Sequence, residues 1–135
     1  MDGRLTLTVV TPERALLQGA VCDEVTLPAW RGEIGVLPGH TPLIALLGIG
    51  VVSYRDGTRR QALAVRGGFV EVAGDAVRIL ADEAAAPEGI DAAKASADKE
   101  DAEGRRGRAS GDEELDAANA DARFAEARLA VLRPA

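Results

Sequence analysis

The sequence predicts an α+β protein in two segments, an antiparallel β-sandwich over residues 1–87 followed by an antiparallel two-helix hairpin over residues 88–135. Two observations predict this fold class. In the first segment, apolar residues recur with a period of two and turn signals follow at roughly ten-residue spacing, which is typical of the short strands of a sandwich. In the second segment, alanine and charged residues dominate, and the apolar period becomes that of a helix.

The alternation is clearest in the first strands. One apolar strand face consists of Leu5, Leu7 and Val9. Another consists of Val21, Val25 and Leu27, with Asp23 as a polar exception. Because alternate residues of a strand point to opposite faces, we expect a half-buried strand at each place.

Two glycine-containing dipeptides predict hairpin turns. Asp56-Gly57 separates two apolar-rich segments, and a type I′ turn with positive φ at both central positions favours this pair. Gly74-Asp75 joins the next two segments in the same way. The uncharged stretch 35–54 contains two prolines and four glycines, so it predicts a turn, a short apolar segment and a strand rather than a membrane-spanning helix.

An apolar stripe predicts the second helix of the hairpin. Its members are three or four positions apart, as on one helix face: Leu115, Ala118, Ala122, Ala125, Leu129 and Leu132. Ser110 and Glu113 have the spacing of a capping box at the start of this helix, and Pro134 ends it. An earlier alanine-rich helix begins near Asp91, and the segment 104–111 turns the chain back.

The hairpin contains few large apolar side chains. From residue 88 onward they are Ile90, Leu115, Phe124, Leu129, Val131 and Leu132. Burying one of them fully is worth roughly 1.5–3 kcal/mol, whereas ordering the backbone costs roughly 1–2 kcal/mol per residue. We therefore expect the hairpin to hold its shape only by docking, either on the sandwich or on a partner.

Composition argues against several classes of function. Lys and Arg number 16 against 22 Asp and Glu, and only four residues are aromatic, so no nucleic-acid partner is expected. His40 and Cys22 are the single histidine and cysteine, so we expect neither a zinc site nor an internal disulfide. No targeting segment, nucleophile elbow or phosphate-binding loop is recognisable, so no catalytic residue and no metal ligand is assigned. The charged run 98–108 is most simply a solvated surface, and its basic end as a site for an acidic partner is the alternative.

The glycine-rich run 32–40 is the most distinctive stretch of the chain. Its Pro-Gly step favours tight turns. The alternative is a contact surface at one end of the sandwich that includes Trp30, Arg31 and Glu33. For His40, a structural or interface role is favoured over that of a base or ligand, because no acid or cysteine accompanies it at motif spacing.

Four segments together carry a resemblance to a known family. In chain order they are VTPE at 10–13, GEIGVLPGHTPL at 32–43, RGGFVEV at 66–72 and VRILAD at 77–82. With the alanine-rich hairpin that follows, they resemble the epsilon subunit of the F-type ATP synthase over essentially the whole chain. The resemblance implies a sandwich of about ten strands and a separate helical domain beginning after residue 87.

This resemblance implies a non-catalytic function. The sandwich would join the gamma subunit in the rotating central stalk and sit on the c-ring, coupling proton flow to ATP synthesis at the cytoplasmic face of the bacterial plasma membrane. The hairpin would restrain ATP hydrolysis by extending along gamma towards the catalytic alpha and beta subunits. The implied c-ring contact comprises Ala29, Trp30, Arg31, Gly32 and Glu33, with His40 nearby. The implied inhibitory contact comprises Arg123, Arg128, Leu129, Leu132 and Arg133.

The same resemblance raises ATP as a weak regulatory ligand. Some relatives bind ATP through an Ile/Leu-Asp-x-x-Arg-Ala motif that opens the first helix. The corresponding residues here are Ile90, Asp91 and Lys94. Lysine keeps the positive charge but lacks the planar fork of arginine. No other cofactor is expected, and the alternative function is a free-standing ATP-sensing module whose hairpin closes on nucleotide.

Overall fold

The computed structural model describes residues 3–133, which form eight strands and two α-helices. The strands are β1 (Leu5–Val10), β2 (Ala15–Cys22), β3 (Glu24–Ala29), β4 (Gly32–Val36), β5 (Leu43–Leu46), β6 (Ile49–Asp56), β7 (Arg59–Ala73) and β8 (Ala76–Ala85). A single 3₁₀ turn (Pro87–Gly89) connects them to helices α1 (Ala92–Arg108) and α2 (Asp112–Val131). The two-segment fold is therefore confirmed, with eight strands in the described residues rather than about ten. The division into domains at residue 87 stays a prediction.

The long strand β7 belongs to both layers of the sandwich. Its first half pairs with β6, and its second half pairs with β5. Between the halves the chain bends at Gly67 and Gly68, whose φ angles are +69° and +111°. A Cβ atom at Gly68 would lie 1.9 Å from the carbonyl oxygen of Leu80, so glycine is required there. This bend turns one sheet, in the order β2-β1-β8-β7-β6-β3-β4, into two facing layers.

Aliphatic side chains from both layers fill the core. Leu5, Leu7 and Val9 are fully buried, as the alternation predicts. Their strand pairs with β8 in parallel, so one pair of the sheet departs from the antiparallel prediction.

The prediction that Val21, Val25 and Leu27 share one strand face was wrong for Val21. The chain bends at Asp23, which separates β2 from β3. The bend reverses the alternation, so that Cys22 is buried and Val21 is 49% exposed, while Val25 and Leu27 remain buried. The Asp23 carboxylate accepts a hydrogen bond from the Gly57 N–H at 2.7 Å and forms ion pairs with two arginines, which explains a polar residue at this point.

One turn follows the prediction and one is displaced by a residue. Gly74 and Asp75 both have positive φ, as a type I′ turn requires. In the other hairpin, Asp56 pairs with Arg59, so the central residues are 57 and 58 and only Gly57 has positive φ. That pattern is of the type II′ kind.

A side chain caps the start of α1, but no side chain caps the start of α2. Helix α1 begins directly after Asp91, as predicted, and the Asp91 carboxylate caps it by accepting a hydrogen bond from the Lys94 N–H at 3.2 Å. The prediction of a capping box from Ser110 and Glu113 was wrong, because the Ser110 hydroxyl accepts no helix N–H. Ser110 instead donates to the Glu114 carboxylate through its N–H and its hydroxyl, each at 2.9 Å. The turn predicted over 104–111 was too long, because α1 continues through Gly104 and Gly107 to Arg108. Pro134 lies outside the described residues.

The hairpin docks on the sandwich through a second face of α2. The middle of the predicted stripe is buried where α2 packs on α1, while Leu115 and Leu132 remain exposed. Phe124 and Ala127 lie on the other face and pack on Ala64 of β7, with further contacts from three half-buried residues, Ile49, Val51 and Val131. In residues 3–133, no helix is long and apolar enough to cross a membrane.

Candidate interaction surfaces

The β3–β4 turn projects an aromatic and a cationic side chain into solvent. The turn consists of Trp30 and Arg31, because Ala29 pairs with Gly32 across the hairpin. The Trp30 ring is 62% exposed, and the Arg31 guanidinium lies 4.7 Å from its centroid. Such stacking contributes roughly 0.5–1 kcal/mol at an exposed site, so the two side chains form one preorganised unit. Glu33, on the strand that follows, is exposed.

His40 lies beyond the other end of β4. Its N–H donates to the Leu37 carbonyl at 3.1 Å, and its ring Nδ1 lies 2.6 Å from the Thr41 carbonyl oxygen. The neighbouring Gly39 N–H bonds to the carboxylate of Asp75, which ties the loop to the β7–β8 turn. A five-residue strand spans roughly 13 Å between its end residues, so the structure does not bring His40 into the Trp30–Arg31 turn.

One outward face of the sandwich carries exposed apolar side chains. Leu46, Phe69 and Leu80 are directly paired across β5, β7 and β8, and about half of each side chain is exposed. Ile44, in the next row, is 74% exposed. The opposite outward face lies under α2. We name these four residues, Ile44, Leu46, Phe69 and Leu80, the apolar row. Large apolar side chains that are exposed together indicate a contact surface.

Sequence reasoning missed the apolar row although a signal was present. In β7 and β8, Phe69 and Leu80 occupy the positions that alternation reserves for polar residues, alongside Glu71 and Arg78. When large apolar residues occupy the alternate positions that face solvent in a half-buried strand, they predict that the second face of the sheet is also covered.

Charged side chains line a cleft of about 420 Å³ beside the docked hairpin. Asp121 of α2 lies 2.8 Å from a guanidinium nitrogen of Arg66 and 2.7 Å from one of Arg105. The hydrogen bond from Arg105, with the further contact from Arg66, holds the pKa of Asp121 below its usual value against the effect of burial. Both arginines are about one-third exposed, so this cluster is only partly shielded from solvent.

The residues of the ATP-motif prediction have internal partners. The Asp91 carboxylate caps α1, and the Ile90 N–H donates to the Pro87 carbonyl. The Lys94 ammonium lies 3.3 Å from the Asp98 carboxylate. The Asp91 carboxylate, the Ile90 N–H and the Lys94 ammonium thus each have a partner within the chain. ATP binding stays a prediction.

The residues of the predicted inhibitory contact differ in accessibility. Arg123 and Leu132 are exposed, and Leu129 is half-buried. Arg128 is engaged with Asp98 at 3.1 Å and stacks on Phe124, with its guanidinium 4.9 Å from the ring centroid. In the docked hairpin, only part of this set is therefore free to meet a partner. Arg133 is exposed and pairs with Glu126.

No catalytic or metal-binding arrangement is found among residues 3–133. There, no group of three His, Cys, Asp or Glu side chains comes together as metal ligands. Burial raises the pKa of the Cys22 thiol, which is the behaviour of a structural rather than a reactive cysteine.

Comparisons with known proteins agree in pointing to one assembly. Residues 4–87 match the family model of the ATP synthase delta/epsilon chain β-sandwich domain. The chain is 50% identical over 97 residues to the ATP synthase epsilon chain of Solibacter usitatus, covering 72% of each protein. It is 46% identical over 105 residues to that of Desulfitobacterium hafniense, covering 78% of this chain and 79% of the relative.

Two solved structures share the fold. A chain from the Euglena gracilis mitochondrial ATP synthase matches with a TM-score of 0.82 and 23% identity, over 98% of this chain and 84% of that one. A chain from the Tetrahymena thermophila mitochondrial ATP synthase central stalk and c-ring matches with a TM-score of 0.52 and 17% identity, over 70% of this chain and 71% of that one.

Proposed function

Because this chain belongs to the family of ATP synthase epsilon chains, we propose that its exposed surfaces divide the contacts of a rotor subunit among three partners. The chain is a non-catalytic subunit of the central stalk, peripheral within the ATP synthase complex. The residue-level partners proposed below are the gamma subunit, the c-ring and the catalytic subunits. The location would be the cytoplasmic face of the bacterial plasma membrane. Family membership does not favour the alternative of a free-standing ATP sensor.

The apolar row is the proposed gamma-binding surface, and its exposure is the observation that carries the proposal. Four large apolar side chains stand about half or more exposed on a face that no element of the described chain covers. Burying their remaining area is worth roughly 1 kcal/mol each, or about 4 kcal/mol together. Association itself costs an estimated 4–15 kcal/mol, so the row would be the centre of a wider interface.

A charged substitution in the apolar row tests this assignment. Phe69→Asp places an unpaired carboxylate in the centre of the proposed contact, and we expect at least about a 30-fold loss of affinity for gamma. Binding is measured by copurification with gamma and by titration calorimetry. Leu115→Asp, on the exposed start of α2, is the matched control and should bind normally. Equal binding by wild type and Phe69→Asp would reject this surface.

The β3–β4 turn is the proposed c-ring contact. Trp30 and Arg31 protrude as a stacked pair, and an aromatic ring with an attached cation suits the polar loops of a neighbouring subunit. Trp30→Ala combined with Arg31→Ala should leave gamma binding intact but lower ATP-driven proton pumping in reconstituted vesicles. Unchanged coupling in that double variant would count against the assignment.

The hairpin is the proposed restraint on ATP hydrolysis. Arg123 is exposed on the outer side of α2, where it is available to acidic residues of a catalytic subunit. Arg123→Glu should therefore raise the hydrolysis rate of the assembled complex without affecting assembly. Arg60→Glu, an equally exposed change on β7, serves as the control. The same hydrolysis rate in both variants would argue against an inhibitory role for Arg123.

A further inference from the structure

We propose that ion pairs among the chain's own side chains, centred on Asp121, hold the two helices together and clamp the hairpin to the sandwich, so that docking needs no nucleotide. The clamp belongs to the docked state, whatever the hairpin does in the complex. It consists of the charged groups that meet between α1, α2 and β7.

Asp121 is the centre of the clamp because it joins three elements at once. Its carboxylate on α2 binds Arg66 of β7 at 2.8 Å with one oxygen and Arg105 of α1 at 2.7 Å with the other. Arg105 is also bound by Asp101 at 2.9 Å, which fixes the direction of its guanidinium. The hydrogen bonds of such charged groups are stronger than neutral ones, and a bridging carboxylate holds both partners in one geometry.

A second set of contacts supports the first. Arg128 binds Asp98 at 3.1 Å, which links α2 to α1 a few turns away. Two guanidinium groups approach the Phe124 ring, with Arg128 at 4.9 Å and Arg66 at 5.9 Å from its centroid. The clamp therefore joins the ion pairs to the apolar contact that α2 makes with the sheet.

The charges of the cleft are balanced before any ligand enters. Its cationic residues are Arg66, Lys94, Arg105 and Arg128, and its acidic residues are Glu83, Asp98, Asp101 and Asp121. Each of these cations lies within ion-pair distance of a carboxylate of the chain. A triphosphate would have to displace these carboxylates and then remain beside them at close range. The internal carboxylates thus take the place that the phosphates of a bound nucleotide would need.

The clamp predicts that docking responds to salt and not to ATP. The Asp121 pairs are about one-third exposed, so bulk ions screen them, and at about 1 M salt the Debye length falls to about 3 Å. A ligand that binds the docked state no better than the open one shifts nothing.

Hydrogen exchange on the full-length chain tests this directly. We expect amides of α2 to exchange about tenfold faster in wild type at about 1 M NaCl than at low ionic strength, because salt screens all the ion pairs of the clamp together. Asp121→Asn removes the two central pairs, so it should exchange several-fold faster than wild type at low salt and show a smaller salt dependence. Asp116→Asn, an exposed acid on the same helix, is the matched control and should follow wild type. Millimolar ATP should leave every rate unchanged.

The outcomes separate clearly. Equal exchange in wild type and Asp121→Asn, or slower exchange of wild type in ATP, would overturn the clamp. If Asp121→Asn also loosens the sandwich, Arg105→Gln replaces it, since this change spares the Asp121–Arg66 pair and should speed α2 exchange about threefold. None of these results bears on the gamma-binding experiment with Phe69→Asp, so the two ideas fail independently.

Discussion

Truncation of Phe124 should release the hairpin from the sandwich. The ring is only 8% exposed, and it packs on Ala64 and Ala127 at the centre of the contact between α2 and the sheet. It is the largest side chain in this contact. We therefore expect Phe124→Ala to weaken docking while leaving the separate core of the sandwich intact.

The size of the effect follows from the contacts that are lost. Full burial of a phenylalanine is worth roughly 1.5–3 kcal/mol, and the stacked Arg128 adds about 0.5–1 kcal/mol. Arg66, at 5.9 Å from the ring, is at the limit of such an interaction and adds little. Water can enter from the exposed edges of the hairpin, so no trapped cavity adds to the cost. The docking free energy should fall by about 2–4 kcal/mol, which increases the open population by roughly two orders of magnitude.

Limited trypsin digestion measures that open population. When opening is fast relative to cleavage, the cleavage rate follows the equilibrium fraction of the open form. Cleavage after Arg123, in the middle of α2, should become about a hundredfold faster in Phe124→Ala. Leu115→Ala removes a large apolar side chain from the exposed start of the same helix and should change this rate little.

Two results would refute this reasoning. One is an unchanged rate of cleavage after Arg123 in Phe124→Ala. The other is an equal acceleration at Arg66 in β7, which would mean that the sandwich unfolds together with the hairpin.

Further expectations follow from single positions. Gly68→Ala should cost more than about 2 kcal/mol in urea unfolding, because a Cβ there meets a backbone oxygen at positive φ, and a neutral result would contradict the bend in β7. Gly107→Ala, with open space around its Cβ in a helix, should instead stabilise the hairpin by up to about 1 kcal/mol, seen as slower hydrogen exchange of α1. The pKa of Asp121 is lowered by hydrogen bonds, so its contribution is present above the unfolded pKa of about 3.9 and is lost as the pH falls below it. Helical circular dichroism should therefore decline below about pH 4, and less so in Asp121→Asn. Asp23→Ala removes the acceptor of a turn N–H and should lower the urea midpoint of unfolding, whereas an unaltered midpoint would show that water replaces the carboxylate.

The candidate site was only partly predictable from the sequence. The exposed Trp30–Arg31 turn follows from the glycine and charge pattern, and the structure shows a two-residue turn there. His40 was expected near this turn, but it lies past the far end of β4, which begins at Gly32 and ends at Val36. A short separation in sequence becomes a long one in space when the intervening residues form a strand.

Local order was determined by the sequence alone. The alternation of Leu5, Leu7 and Val9, the Gly-Asp turn before β8 and the Asp91 cap all depend on residues within a few positions of one another, and each is found in the structure. The family also follows from the sequence, because its motifs are contiguous. Such features depend on local backbone preferences and on which residues avoid water.

Tertiary structure alone decided which surfaces meet. Phe124 was recognised as apolar, but its packing on Ala64 brings together residues sixty positions apart, and the bridge from Asp121 to Arg66 spans a similar distance along the chain. The sequence pattern predicts which side chains are buried and which are exposed, but it does not predict which residues they contact. The partners are set by how β7 bends between the two layers and where α2 then lies, and these depend on the packing of the whole chain at once.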